Sequence, residues 1–78
     1  MKIHYTVGQL IEKLQELSSD MPVLTNGYED EYENIMDPNR ISVKYKADEP
    51  YWSGQFKEAR ENDSDSFEAL VLRREVRL

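Results

Sequence analysis

The sequence contains no cysteine, so it offers neither a disulfide framework nor a thiolate for metal binding or nucleophilic attack, and a cytoplasmic location is the default expectation. It has a single histidine, His4. That is too little for a zinc site and poorly placed for a serine triad, where the histidine must stand between nucleophile and acid. Its three glycines, Gly8, Gly27 and Gly54, are isolated, which rules out a glycine-rich phosphate loop. No apolar run approaches the roughly 20 residues that span a bilayer, and "MKIHYTVGQL" has no apolar core of the kind that leads a secreted chain, so no membrane association is expected. Paired carboxylates are plentiful, but two of them held across a substrate cleft need more scaffold than so short a chain supplies. The expectation is a protein that is not an enzyme and uses no cofactor.

At 78 residues the chain is read as a single domain, 1–78, because a chain of this size buries only about 60% of its unfolded surface and cannot divide that core. Charge is the most informative total: 16 acidic residues against 10 basic ones, a formal net of −6. Two short runs create it. Residues 26–37 carry Glu29, Asp30, Glu31, Glu33 and Asp37, residues 61–68 carry Glu61, Asp63, Asp65 and Glu68, and the rest of the chain is net basic. The overall sign argues against direct DNA binding, which depends on neutralising phosphates with lysine and arginine.

The secondary structure reads as helix then strands. "TVGQ" fits a capping box in which the Thr6 hydroxyl accepts from the Gln9 amide and the Gln9 side chain returns to Thr6. Val7, Leu10, Ile11, Leu14 and Leu17 follow as one apolar stripe. Pro22 biases Met21 away from helical angles, and "SSDMP" ends the helix. Val23 to Thr25 reads as a short strand stopped by Asn26-Gly27, a pair that tolerates the positive φ of a tight turn. Ile41, Val43 and Tyr45 alternate with polar residues as a half-buried strand does, Lys2 to Tyr5 is a candidate edge strand, and the apolar run of Phe67 to Leu72 reads as a central strand. The twenty residues between the last two strands call for a mobile loop, a functional loop or a short helix around Gln55 to Glu61. The fold class is therefore α+β: one N-terminal helix packed on a small antiparallel sheet of three to four strands.

"YTVGQLIEKLQELSSDMPVLTNGYEDEY", residues 5–32, resembles the front half of small bacterial and phage proteins. Those share an L-I-x-x-L-x-x-L helix, a proline turn and a strand ending in Gly-Tyr-Glu, and "ALVLRR" looks like their closing strand. The resemblance implies a small α+β protein of bacterial or phage origin and assigns no catalytic residue. Where those sequences continue with glycines, this one has Asp30 and Glu31.

Two constellations carry the functional expectations. "NGYEDEYENIMD" has the oxygens of a calcium loop but lacks the central glycine and the ordered spacing, so no metal site is assigned. As a phosphate mimic, residues 29–37 fully extended would cover roughly 30 Å, a length over which one DNA strand carries about nine phosphates. The run supplies five charges and reaches nine only with residues 61–68 beside it. In extended form it sets Tyr28, Asp30 and Tyr32 on one side and Glu29, Glu31 and Glu33 on the other; in helical form Tyr28, Tyr32, Ile35 and Met36 make a stripe. A solvated turn, or tyrosines recruited to the core, would explain the same residues. The leading expectation is a surface that docks on a basic site of a larger protein, with Tyr28, Glu29, Asp30, Glu31, Tyr32, Glu33, Asp37 and Trp52 as contacts. In a phage or mobile-element setting that makes an inhibitor of a host nucleic-acid-handling or defence protein.

The second constellation interleaves bases and aromatics: Arg40, Lys44, Tyr45, Lys46, Tyr51, Trp52, Phe56, Lys57 and Arg60. From it comes the alternative of a nucleotide or small-molecule binder using Lys44, Lys46, Tyr51 and Trp52. The plain structural account has Tyr45 packed in the sheet, Trp52 closing the bottom of the core and the lysines on a solvated face. A third possibility is an accessory homodimer joined through a sheet edge.

Overall fold

The computed structural model describes residues 3–47, 50 and 52–77. The fold is α+β, and the chain forms two compact units, 1–37 with 72–78 and 38–71. The strands make two antiparallel sheets, of two and three strands, where the sequence predicts one sheet of three to four.

In the first unit, α1 (Val7–Leu14) starts as the sequence predicts. The Gln9 amide donates to Thr6 Oγ1 at 3.2 Å and the Thr6 amide donates to Gln9 Oε1 at 2.9 Å. Both orphan donors at the helix start are thereby satisfied. The helix ends one turn before the stripe does, and Leu17 donates its amide to the Leu14 carbonyl in a tighter closing turn. The apolar stripe lies about half exposed, with Val7, Ile11, Leu14 and Leu17 at 45–56%. Ser18 then turns the chain, its carbonyl accepting the Met21 amide at 3.1 Å.

Strands β1 (Leu24–Asn26) and β2 (Tyr32–Asn34) form a hairpin in which Asn26 pairs with Tyr32. The C-terminal segment adds itself to β2: Ile35 bridges Arg74, Met36 donates to the Arg73 carbonyl, and Glu75 donates to the Asn34 carbonyl. Ile3, His4 and Tyr5 belong to no strand, against the predicted N-terminal edge strand; Lys2 lies outside the described residues.

The second unit is built on β3 (Asn39–Tyr45), flanked by β4 (Phe56–Glu58) and β5 (Phe67–Val71). The Phe67 run is thus an edge strand, not a central one, and the segment read as a loop or a short helix supplies β4. On one face Val43 is buried, 7% exposed, with Phe67 directly across the strand pair and Tyr45 across from Phe56. Edge-to-face contacts join Tyr45 to Phe56 at 5.7 Å and Phe56 to Phe67 at 6.0 Å between ring centroids. Each such pair contributes about 0.5–1.5 kcal/mol beyond its buried area. Among the described residues Val43 is the only buried hydrophobic side chain, and none is fully buried. That is little cover for a folded chain.

Candidate functional site

The acidic run 26–37 is the loop of the β1–β2 hairpin and the strand that leaves it. Its tight turn lies at Glu29-Asp30, two residues beyond the Asn-Gly pair that the sequence suggests. Glu29 has φ 55° and Asp30 has φ 61°. The Glu31 amide donates to the Tyr28 carbonyl at 3.0 Å and the Gly27 amide to the Glu31 carbonyl at 2.8 Å. Positive φ at both central residues is the type I′ arrangement, whose twist suits a hairpin and which asparagine and glycine adopt most easily. Two acidic residues hold it here at a conformational cost.

Gly27 has no positive φ. Its role is close approach: a Cβ there would stand 2.9 Å from Glu33 Cγ and 3.3 Å from the Glu31 carbonyl oxygen. The loop folds tightly against β2 because this position has no side chain.

The turn undoes both arrangements expected of the run. The residues are neither one extended track nor one helix, so the string of charges spaced like phosphates does not form. Tyr28 and Glu33 line the same depression, about 250 Å³ in volume, together with Arg74, Glu75, Val76 and Arg77. Tyr32, next to Glu33 in β2, points to the opposite face by strand alternation. The two tyrosines therefore do not share a side.

The C-terminal segment engages the depression through its arginines. The Arg74 guanidinium lies 3.9 Å from the centroid of the Tyr28 ring. Arg77 donates Nε to Glu33 Oε2 at 3.1 Å and sets Nη2 at 3.1 Å from the same oxygen. Glu33 is thereby neutralised within the chain. Glu29, Asp30, Glu31 and Asp37 are exposed, and none of their side chains enters a hydrogen bond or ion pair with the described residues. The arginine contacts escaped the sequence reading because they join positions more than forty residues apart.

The other acidic run is arranged differently. Asp63 Oδ2 accepts the Arg60 amide at 2.8 Å while Asp63 Oδ1 accepts from Lys44 Nζ at 3.3 Å. The bond from the Arg60 amide is the main cause that holds the Asp63 carboxyl below the usual carboxylate range; loss of hydration opposes it, and the Lys44 hydrogen bond and the charges of Lys44 and Lys57 add smaller lowering effects. Asp65 lies 4.0 Å from Lys44 and Glu68 lies 3.3 Å from Arg40 Nε. Asp63 and Asp65 staple the loop before β5 to the polar face of the sheet, and Glu68 ties β5 itself to β3.

That arrangement also occupies the predicted ligand cluster. Lys44 is held by Asp63 and Asp65, Lys46 donates from Nζ to Ser53 Oγ at 2.7 Å, and Arg40 pairs with Glu68. Tyr45 packs edge-to-face on Phe56 in the sheet, as the plain structural account has it for Tyr45. Tyr51 lies outside the described residues. Trp52 is 76% exposed, so it does not close the core.

Among the described residues no three histidine or carboxylate side chains converge on a point where a metal ion would sit. No helix among them is long and apolar enough to cross a membrane. Comparison with protein families, with proteins of assigned function and with solved structures finds no match.

Proposed function

We propose that this protein is a non-enzymatic binding module that docks the tip of its β1–β2 hairpin on a basic surface of a larger protein. One observation carries this reading: Glu29, Asp30 and Glu31 stand together at an exposed turn with their carboxylates unpaired among the described residues, while three of the four acids of the second run, Asp63, Asp65 and Glu68, are bonded to their own sheet. Unpaired charge concentrated at a projecting turn speeds encounter with an oppositely charged site.

The tail contacts support an arginine-bearing partner. Arg74 over the Tyr28 ring and Arg77 on Glu33 are contacts of the kind that a partner's arginines would make with the neighbouring carboxylates and with Tyr32. Tyrosine provides a large, rigid anchor at low conformational cost once the charges have brought the surfaces together. Trp52 is a separate exposed anchor in the second unit, and the reading does not depend on it. An acidic tip of this kind suits an inhibitor that covers the basic site of a nucleic-acid-handling or defence protein.

Capture of partners from bacterial lysate at low and high salt tests the proposal. The wild-type chain retains a basic protein at low salt and releases it at high salt, and Glu29→Gln/Asp30→Asn/Glu31→Gln abolishes the capture. Retention indifferent both to salt and to the triple substitution would sink the reading.

A further inference from the structure

We propose that the free edge of β5 pairs antiparallel with β5 of a second copy of this chain, centred on Ala69, to give a continuous six-stranded sheet. The inference is independent of the hairpin tip. It starts from an edge that lacks the usual protection.

Among the described residues β5 pairs only with β3. Edge strands are commonly kept from pairing by shortness, proline, a bulge or charge. β5 has five residues, pairs with β3 without interruption, contains no proline, and carries one charge, Glu68, which its own Arg40 neutralises at 3.3 Å. The other free edges are blunted. β1 and β4 have three residues each, and a centred β4 pairing would set Lys57 directly against its counterpart, an unfavourable juxtaposition of like charge.

Pairing about Ala69 is self-complementary. On one face Phe67 stands opposite the Val71 of the second copy, and Ala69 opposite its counterpart. With Val43 across from Phe67 and Ile41 across from Ala69 inside each copy, the apolar rows run unbroken from β3 through both β5 strands. On the other face Glu68 stands opposite Leu70 of the second copy, so no like charges oppose. Leu70 and the adjoining Leu72 are 43% and 45% exposed, and the new ladder narrows access to both. A second copy is also the partner that is always at hand for a chain that buries so little of its own apolar surface.

The charges supply a test that spares the fold. Leu70→Glu would set a carboxylate against Glu68 of the second copy at both ends of the ladder, while inside its own chain position 70 lies opposite Arg40, where a glutamate is welcome. Sedimentation equilibrium from low-micromolar to millimolar concentration is expected to show a dimer for the wild-type chain. Leu70→Glu weakens it at least tenfold with circular dichroism unchanged, and adding Glu68→Lys to Leu70→Glu restores it by making the opposed pair attractive. A wild-type chain that stays monomeric throughout, a Leu70→Glu dimer of undiminished affinity, or a double substitution that fails to restore dimerisation while folded would overturn the proposal.

Discussion

The hairpin tip and the loop before β5 are both acidic runs, yet their carboxylates do opposite things. At the tip, Glu29, Asp30 and Glu31 occupy a turn with no base bonded to their side chains among the described residues. In the second run, Asp63 and Asp65 before β5 and Glu68 within it are tied to Lys44 and Arg40, and Asp63 also caps the backbone of its own turn. A run of acids in a sequence therefore says little until the neighbouring bases are located. Most of one run is tied into the scaffold, and the turn of the other carries charge that no base among the described residues pairs.

The two runs also differ in what shapes them. The tip owes its form to a missing side chain at Gly27 and to positive φ at Glu29 and Asp30; the second run owes its form to ionic bonds. Breaking each by its own cause separates them. The largest effect is expected from Gly27→Ala, because the added methyl group meets Glu33 and the Glu31 backbone at once. Overpacking of this kind costs about 1–3 kcal/mol, measured by urea denaturation.

Asp63→Asn attacks the other run. It weakens the bond to the Arg60 amide and removes the charge facing Lys44, and it lowers the melting temperature at neutral pH. The pH dependence follows from the lowered Asp63 pKa. A carboxyl whose folded pKa lies below its unfolded value stabilises the fold above about pH 4 and loses that contribution as pH falls through the folded value. The wild-type chain is thus expected to lose stability in acid more steeply than Asp63→Asn, and parallel acid titrations of the two would contradict the assignment.

The smallest of these effects has the opposite sign. Glu29→Asn/Asp30→Gly gives the turn residues that accept positive φ, and relief of this strain is expected to stabilise the hairpin by about 1 kcal/mol. The same double substitution removes two of the unpaired charges and weakens partner capture. A gain in stability joined to a loss of binding would mark the tip as kept acidic for contact and not for folding.

The parts of this fold that could be read from the sequence are those with a local cause. The Thr6–Gln9 capping box and the strand through Ile41, Val43 and Tyr45 each follow from spacing within a few residues, and each is present, although the burial alternation holds at Ile41 and Val43 and gives way at the exposed Tyr45. β4 was hidden because three residues, Phe56 to Glu58, are too few to display a period. The position of β5 at an edge was hidden because an apolar run reports which side chains need cover and not how many neighbouring strands its backbone has. The turn was displaced because Asn26-Gly27 offers conformational freedom that the chain does not use, the glycine serving a steric need instead. At the candidate site the acidic residues were legible, but the separation of Tyr28 from Tyr32 follows from the displaced turn, and the pairing of Glu33 with Arg77 depends on a tail that returns from the far end of the chain.

The difference between the runs can be tested with two variants that each remove three negative charges: Glu29→Gln/Asp30→Asn/Glu31→Gln at the tip, and Glu61→Gln/Asp65→Asn/Glu68→Gln before β5. Compared side by side for salt-sensitive capture of a basic partner, the tip variant is expected to lose capture while the second variant keeps it. Equal loss by both would contradict the account, because net charge alone, and not the tip, would then explain the binding.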